Sequence, residues 1–451
     1  MHPISPRRGH AVVIGASMGG LLAARALSES FERVTVLDRD ELPTEPSPRR
    51  GVPQGRHPHA LLARGREVLD EFFPGLSDEL LAAGVPLIDV RSDFHWYADG
   101  RLLCPGPSGL FALGVSRPLL EFAVGSRVAA LPRVSIVDRC EVTGLTSSPD
   151  RRRITGVRMR NRSADAVEFV LDADLVVDAA GRGTRSPVWL DELGYARAPE
   201  DRVRIDVTYL SRLYRREPHH LGGRLGSTFA PYPGQLRSGL VLGQEGERFM
   251  VNISAWGGDA VLPTDDAGMA EFAEHLAAPD IAEIIRSAPP LSEPVLSRYP
   301  ASVRRRYEQL DRFPEAYLVT ADALCSFNPS YGQGMTVAAL EAQLLGRLLH
   351  EGGDELWLRF FTASATLLDN PWDIVVGGDL RFPYVEGERT AEMLEMGEYL
   401  ERYREAAEDD AVLATALLRV INMLDGPERL GAPELQERVL RGAGPARAAV
   451  G

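Results

Sequence analysis

The stretch from His10 to Asp38 restricts the possible folds more than any other part of the chain. Ala11-Val-Val-Ile14 is a short apolar run that stops at Gly15, the pattern of a strand buried in a parallel sheet. Gly19 to Leu27 is rich in Ala and Leu and reads as a helix, and Val34-Thr-Val-Leu37 reads as the next strand. The resulting β-α-β unit takes under thirty residues. Within Gly15-Ala-Ser-Met-Gly-Gly20 the first glycine permits the tight strand-to-helix turn. Position 17 must be small, so that backbone can approach a pyrophosphate beside Met18 at the helix N-terminus. Gly20 lets helix and strand pack closely. Ser17 stands where a second glycine is usual. Asp38, twenty-three residues after Gly15 and followed by Arg39, falls at the strand end where a carboxylate accepts ribose hydroxyls. Alone, the segment also fits an unrelated glycine-rich turn.

Two further segments turn this unit into a fuller signature. Leu175-Val-Val-Asp-Ala-Ala-Gly-Arg-Gly-Thr-Arg-Ser186 is an apolar strand ending in Asp178, then a glycine turn. Leu318-Val-Thr-Ala-Asp322 reads as a strand ending in a carboxylate suited to a ribityl chain. After it, Pro329, Gly332, Gly334 and Met335 lead into a helix whose N-terminal amides suit the edge of a flavin ring that becomes anionic on reduction. In this order and spacing the three segments point to FAD rather than NAD.

Composition narrows the alternatives. The 451 residues exceed one simple core, so two interleaved domains or slightly more are expected. A formal charge of −14 disfavours nucleic acid, which needs a basic face. All fifty basic residues are arginine, which excludes a Walker A lysine and any Schiff-base lysine. Cys104, Cys140 and Cys325 fit neither a zinc site nor a disulfide framework, so the expectation is no metal and a cytoplasmic location. The first residues show no apolar signal core, and Ala411 to Leu424 is too short, and broken by Arg419, to span a membrane.

Elsewhere, Pro43 to Pro58 reads as a proline-rich loop and His59 to Phe73 as helix. Leu119 to Val128 reads as a helix entered through Ser116-Arg-Pro118. Val134 to Leu145 and Gly156 to Val170 alternate as strands of a smaller sheet, and Arg202 to Ile253 carries the strands of a second domain. Gly334 to Leu349 is expected to be helical, and Thr390 to Leu424 mostly helical with acidic exposed faces. The last ten residues form a Gly/Ala-rich tail. His57 and His59 suit the ordering of a loop better than catalysis or metal binding. Phe94-His-Trp-Tyr97, Phe229, Tyr232, Phe249 and Trp256 fit either the wall of an apolar pocket or ordinary core.

Together, Gly51-Val-Pro-Gln-Gly-Arg-His-Pro-His59, Ser116-Arg-Pro-Leu-Leu-Glu121, Asp178-Ala-Ala-Gly-Arg-Gly-Thr-Arg185 and Ser326-Phe-Asn-Pro-Ser-Tyr-Gly-Gln-Gly-Met335 resemble the class A flavoprotein monooxygenases. The likeness is nearest to actinobacterial polyether epoxidases, relatives of squalene epoxidase, and to the related FAD-dependent Diels–Alder (4+2) cyclases. It implies an α/β fold of para-hydroxybenzoate hydroxylase type, with a Rossmann-like FAD-binding domain over 1–75, 106–190 and 299–350. A mixed-sheet substrate domain over 76–105 and 191–298 would interleave with it, and 351–451 would form a helical C-terminal region. The resemblance further implies that Arg117 contacts the ribityl-pyrophosphate portion and Asp322 the ribityl chain. Ala321 departs from the Gly-Asp usual before that turn.

The activity so implied is transfer of oxygen from a flavin C4a-hydroperoxide to an apolar polyketide- or terpenoid-like small molecule of secondary metabolism. NADPH, acting directly or through a flavin reductase, is the candidate electron donor. No base constellation is visible, which leans toward epoxidation of an alkene. The rival readings are a redox-silent FAD-containing cyclase, a reductase on the same fold, and a nucleotide-binding protein without chemistry. No catalytic side chain is assigned.

Overall fold

The computed structural model of the chain describes residues 8–59, 61–162, 167–258 and 261–442. The readings of residues 1–7 and of the tail at 443–451 lie outside the described residues. Among those described, the fold is α/β: a five-stranded parallel sheet, an eight-stranded mixed sheet, a three-stranded sheet, a two-stranded ribbon and a helical C-terminal region.

The parallel sheet runs Tyr317–Val319, Leu175–Asp178, Arg8–Ile14, Phe31–Leu37 and Val134–Val137. Its central strand buries Ala11, Val12 and Val13 completely, because helices Met18–Leu27 and Gly334–Glu351 and the three-stranded sheet together cover it. Close packing needs glycine at two points. Gly15 has φ of 100°, and a Cβ on Gly20 would lie 1.8 Å from the Gly15 carbonyl oxygen.

In the eight-stranded sheet, the two-residue period divides the work between faces. Val241, Val251, Ile253 and Ala255 pack into a core with helices Asp266–Glu274 and Pro279–Ser287. Their neighbours Ser238, Leu240, Leu242, Asn252, Ser254 and Trp256 face a large cavity.

Four local readings are corrected by the structure. Val134–Val137 joins the parallel sheet beside Phe31–Leu37, and only Cys140–Ser147 enters the smaller sheet, after a turn with Arg139 at φ of 51°. Alternation identifies a strand but not its neighbour. The helix expected from His59 is Ala63–Phe72, because its first amide is capped by Asn422 Oδ1 at 3.1 Å, a partner 359 residues away. The strand expected to end at Asp322 stops at Val319, and Asp322 occupies a 3-10 turn, Ala321–Ala323, entered through Ala321 at φ of 55°. Helix Ala411–Ile421 is not an exposed acidic element: Leu413, Ala414 and Leu418 are fully buried with Val90, Leu103 and Leu110. No helix among the described residues is long and apolar enough to cross a membrane.

Candidate cofactor and substrate cavity

The edge of the parallel sheet, the inner face of the mixed sheet and the C-terminal helices enclose one continuous cavity of about 1560 Å³. That exceeds the 300–1,000 Å³ usual for a single small ligand and suits two occupants side by side. Gly15, Ser17, Met18, Asp38, Arg39, Arg117, Asp322, Gly332, Gly334 and Met335 all line it. Gly20 does not; it packs against the backbone of Gly15 behind the wall.

At the glycine turn, the local sequence builds a charged frame. Asp38 follows the second strand, and its Oδ2 accepts the amide of Ala16 at 2.7 Å. Its Oδ1 accepts the amide of Asp40 at 2.9 Å and meets Arg49 at 3.0 Å. A carboxylate accepts about four hydrogen bonds, so Asp38 retains capacity for a hydroxyl. Ser17 is explained by what it touches. Its hydroxyl donates to Glu121 and accepts from Arg117 at 2.9 Å, and Glu121 also takes the Met18 amide at 3.3 Å. The anion found at this helix N-terminus is therefore the Glu121 side chain. Burial works to raise its pKa, but Arg117 and Arg49 overcome burial and hold it below the usual carboxylate range. Ser116 caps the helix Arg117–Ala129, which sets Arg117 and Glu121 four residues apart on one face.

Asp322 opens on the cavity beside Arg182 and Arg117, and burial pushes its carboxyl above the ordinary value. Behind it, Glu341 accepts the Thr320 hydroxyl at 2.7 Å and the Ala321 amide at 2.6 Å, and burial raises it to about 7. Gly332, at φ of 69°, turns the chain into helix Gly334–Glu351, and the buried Gln333 Oε1 there has no protein partner. A carboxylate facing the cavity, an orphaned amide oxygen and a helix N-terminus form a donor and acceptor set that fits a ribityl chain and flavin edge.

Across the cavity, the structure brings together groups that the sequence did not mark. Tyr331 and Asn328 donate to Asp379 Oδ1 at 3.1 and 3.0 Å, while Asp379 Oδ2 has no partner. Asp379 is fully buried among neutral donors, and burial raises its pKa to about 7. The same burial drives Tyr331 well above the ordinary phenol value. Tyr331 lay inside the third segment; Asp379, in Gly377-Gly378-Asp379, carried no sequence signal.

His57 and His59 both line the cavity. His57 shares a 2.8 Å hydrogen bond with Ser211 and packs edge-on to Tyr209 at 4.7 Å. Burial, then Arg56, lowers it to about 4; burial, then Arg117, lowers His59 to about 3. Both rings are neutral at pH 7. Of the marked aromatics, Phe94, Trp96, Tyr97, Phe229 and Trp256 line the cavity, whereas Phe249 is buried core.

No protein-family model matches the chain. Over 435 residues, 93% of this chain and 90% of the relative, it is 37% identical to Protein Rv3254 of Mycobacterium tuberculosis. Its fold is similar to that of a flavoprotein/dehydrogenase from Cytophaga hutchinsonii, with a TM-score of 0.68 at 15% identity over 95% of this chain and 96% of that one. It is also similar to pqsL, a probable FAD-dependent monooxygenase from Pseudomonas aeruginosa, with a TM-score of 0.60 at 18% identity over 82% and 97% of the two chains. At these identities the likeness to the solved structures is one of fold.

Proposed function

The chain belongs to the family of Protein Rv3254, and within that family we propose that it is an FAD-dependent monooxygenase acting on a small, largely apolar molecule. One observation carries this reading. A dinucleotide-type cradle and an aromatic compartment share a single cavity of about 1560 Å³. Bound in the cradle, FAD would supply the redox chemistry: NADPH or a reductase provides two electrons, one atom of dioxygen enters the substrate and the other leaves as water.

The residues of this chain divide the remaining tasks. Asp38 would accept a ribose hydroxyl, and Arg117, with the helix N-terminus and Ser17 that it shares with Glu121, would hold the pyrophosphate. Asp322 would accept the ribityl hydroxyls, and the first amides of helix Gly334–Glu351 would stabilise the ring edge as it becomes anionic. The apolar wall, including Trp256 packed on Phe382 at 5.1 Å, keeps water from the reacting centre. Tyr331 and Asp379 supply a proton route. A substrate hydroxyl can pass its proton to the Tyr331 oxygen while Tyr331 passes its own to Asp379 Oδ1. This route suits hydroxylation or any step that ionises the substrate. Epoxidation of an alkene would proceed without it.

The test begins with the flavin content of purified protein and continues with anaerobic NADPH, then oxygen. Bleaching of bound flavin followed by oxygen-dependent recovery supports the reading. Flavin that stays oxidised with NADPH, and after chemical reduction returns without any oxygen transfer to alkene or phenol probes, would replace it with a redox-silent cyclase.

A further inference from the structure

The hairpin Phe94–Ala98/Arg101–Leu102 turns through Asp99 and Gly100, both at left-handed φ (52° and 78°), the backbone that an Asp-Gly pair adopts in a two-residue turn. That turn presents the Asp99 carboxylate to two arginines from the C-terminal region. Arg381 holds it through both terminal nitrogens, at 2.9 and 2.8 Å, and Arg404 meets the same Oδ2 at 2.9 Å. All three line the cavity, and the arginine side chains are 25% and 17% exposed. Asp99 is the one acidic partner that either arginine meets among the described residues. Two guanidinium groups thus share one carboxylate, which leaves one positive charge without an ion-pair partner in a cavity whose wall combines aromatic side chains with the more distant carboxylates Asp373, Glu392 and Glu428. Tyr331 lies close enough to feel both arginines.

We propose that Arg381 and Arg404 form an anion anchor, and that the substrate is an apolar carboxylate whose head sits against them while its body fills the aromatic compartment. A planar guanidinium binds a planar carboxylate with matched geometry, and each has nitrogens left over after Asp99 is served. A neutral polyene or terpene would leave this charge without a counter-ion in a desolvated wall, where an uncompensated charge is unfavourable. An acid entering the site makes the charges balance. The anchor also places the carboxylate beside Tyr331 and fixes which end of the substrate faces the cradle.

This inference rests on the cavity being a substrate site, and its test is independent of the flavin. Calorimetric titration compares 2-naphthoate with 2-naphthamide, an uncharged molecule of nearly the same shape, using holoprotein and, in parallel, protein stripped of any flavin. The naphthoate is expected to bind about tenfold or more tightly than the amide, as a charge-assisted hydrogen bond allows. Arg404→Gln should abolish that preference and leave amide affinity unchanged. Asp99→Asn keeps both arginines but removes their competitor, and should tighten naphthoate several-fold. Equal affinity of the two probes, no binding of either at millimolar concentration, or an Arg404→Gln effect confined to NADP⁺ binding would each overturn the anchor. Loss of the monooxygenase reading would instead appear as protein that is purified without flavin and takes up no added FAD, yet still prefers naphthoate.

Discussion

Glu121 and Asp379 are both buried carboxyl groups beside the same cavity, and they behave in opposite ways. Glu121 sits at the glycine turn between Arg117 and Arg49, which keep it ionised. Asp379 sits behind Tyr331 with neutral donors only, and burial carries it to about 7. The contrast separates the two halves of the cavity by task. Around Glu121 the charges are neutralised within the protein, so the frame keeps its shape and ionisation across ordinary pH. Around Asp379 the proton is held loosely near neutrality, which suits a group that exchanges it. Arg381 and Arg404, which influence Tyr331, pair with Asp99 instead.

The largest expected effect breaks the first half outright. Gly20→Ala would press a methyl into the Gly15 carbonyl at 1.8 Å and push helix Met18–Leu27 off its strand. It should destabilise the protein by about 3 kcal/mol in urea unfolding, with loss of bound flavin. Gly377→Ala, where a Cβ meets nothing within 4 Å, should leave both measurements close to wild type.

Next comes the charge itself. Glu121→Gln keeps the shape but leaves Arg117 and Arg49 underpaired, and should cost about 2–3 kcal/mol of stability. Asp379→Asn, which removes a carboxyl with no cationic partner, should cost much less. Equal losses in the two variants would dissolve the contrast.

A subtler effect is in pH dependence. The folded pKa of Asp379, about 7, lies above the ordinary 3.8, and that of Glu341, also about 7, lies above 4.5. The folded state therefore binds more protons than the unfolded chain between about pH 4 and pH 7. Stability contributed by these groups is complete below that window and is lost as pH rises through it, at up to about 1.4 kcal/mol per pH unit for each group. The stability difference between wild type and Asp379→Asn should fall across that window and level off on either side. A difference that is constant from pH 4 to pH 8 would show that Asp379 is ionised throughout.

The smallest effect concerns Ala321, which holds a left-handed φ of 55° and whose Cβ lies 2.7 Å from where a Cβ on Gly19 would fall. Ala321→Gly should stabilise the fold by about 0.5–1 kcal/mol by relieving that backbone. It should also lessen the damage done by Gly19→Ala, a coupling that a double-mutant cycle in urea reads directly.

The glycine cradle was legible because its parts are local. Gly15, Ser17, Met18 and Asp38 lie within one β-α-β unit, and all four line the cavity. Arg117 and Glu121 were also within reach, four residues apart on one helix. The i,i+4 spacing was the available signal, although only Arg117 was singled out. Arg49 was missed inside a proline-rich loop. The Asn422 cap that starts Ala63–Phe72 could not have been found, nor could the pairing of Val134–Val137 with the parallel sheet. Both depend on which distant segments meet.

Periodicity, turn chemistry and glycine spacing act between residues that are neighbours in the chain, so they specify strands, helices and the cradle before anything folds against them. The meeting of Asp99 with Arg381 and Arg404 spans some three hundred residues, and that of Tyr331 with Asp379 spans 48. Which carboxyl finds a cation is settled only when those segments pack. In a desolvated interior that partner decides whether the group is a fixed charge or a titrating proton. The cradle could therefore be read along the chain, while the chemistry of the other half exists only in the folded protein.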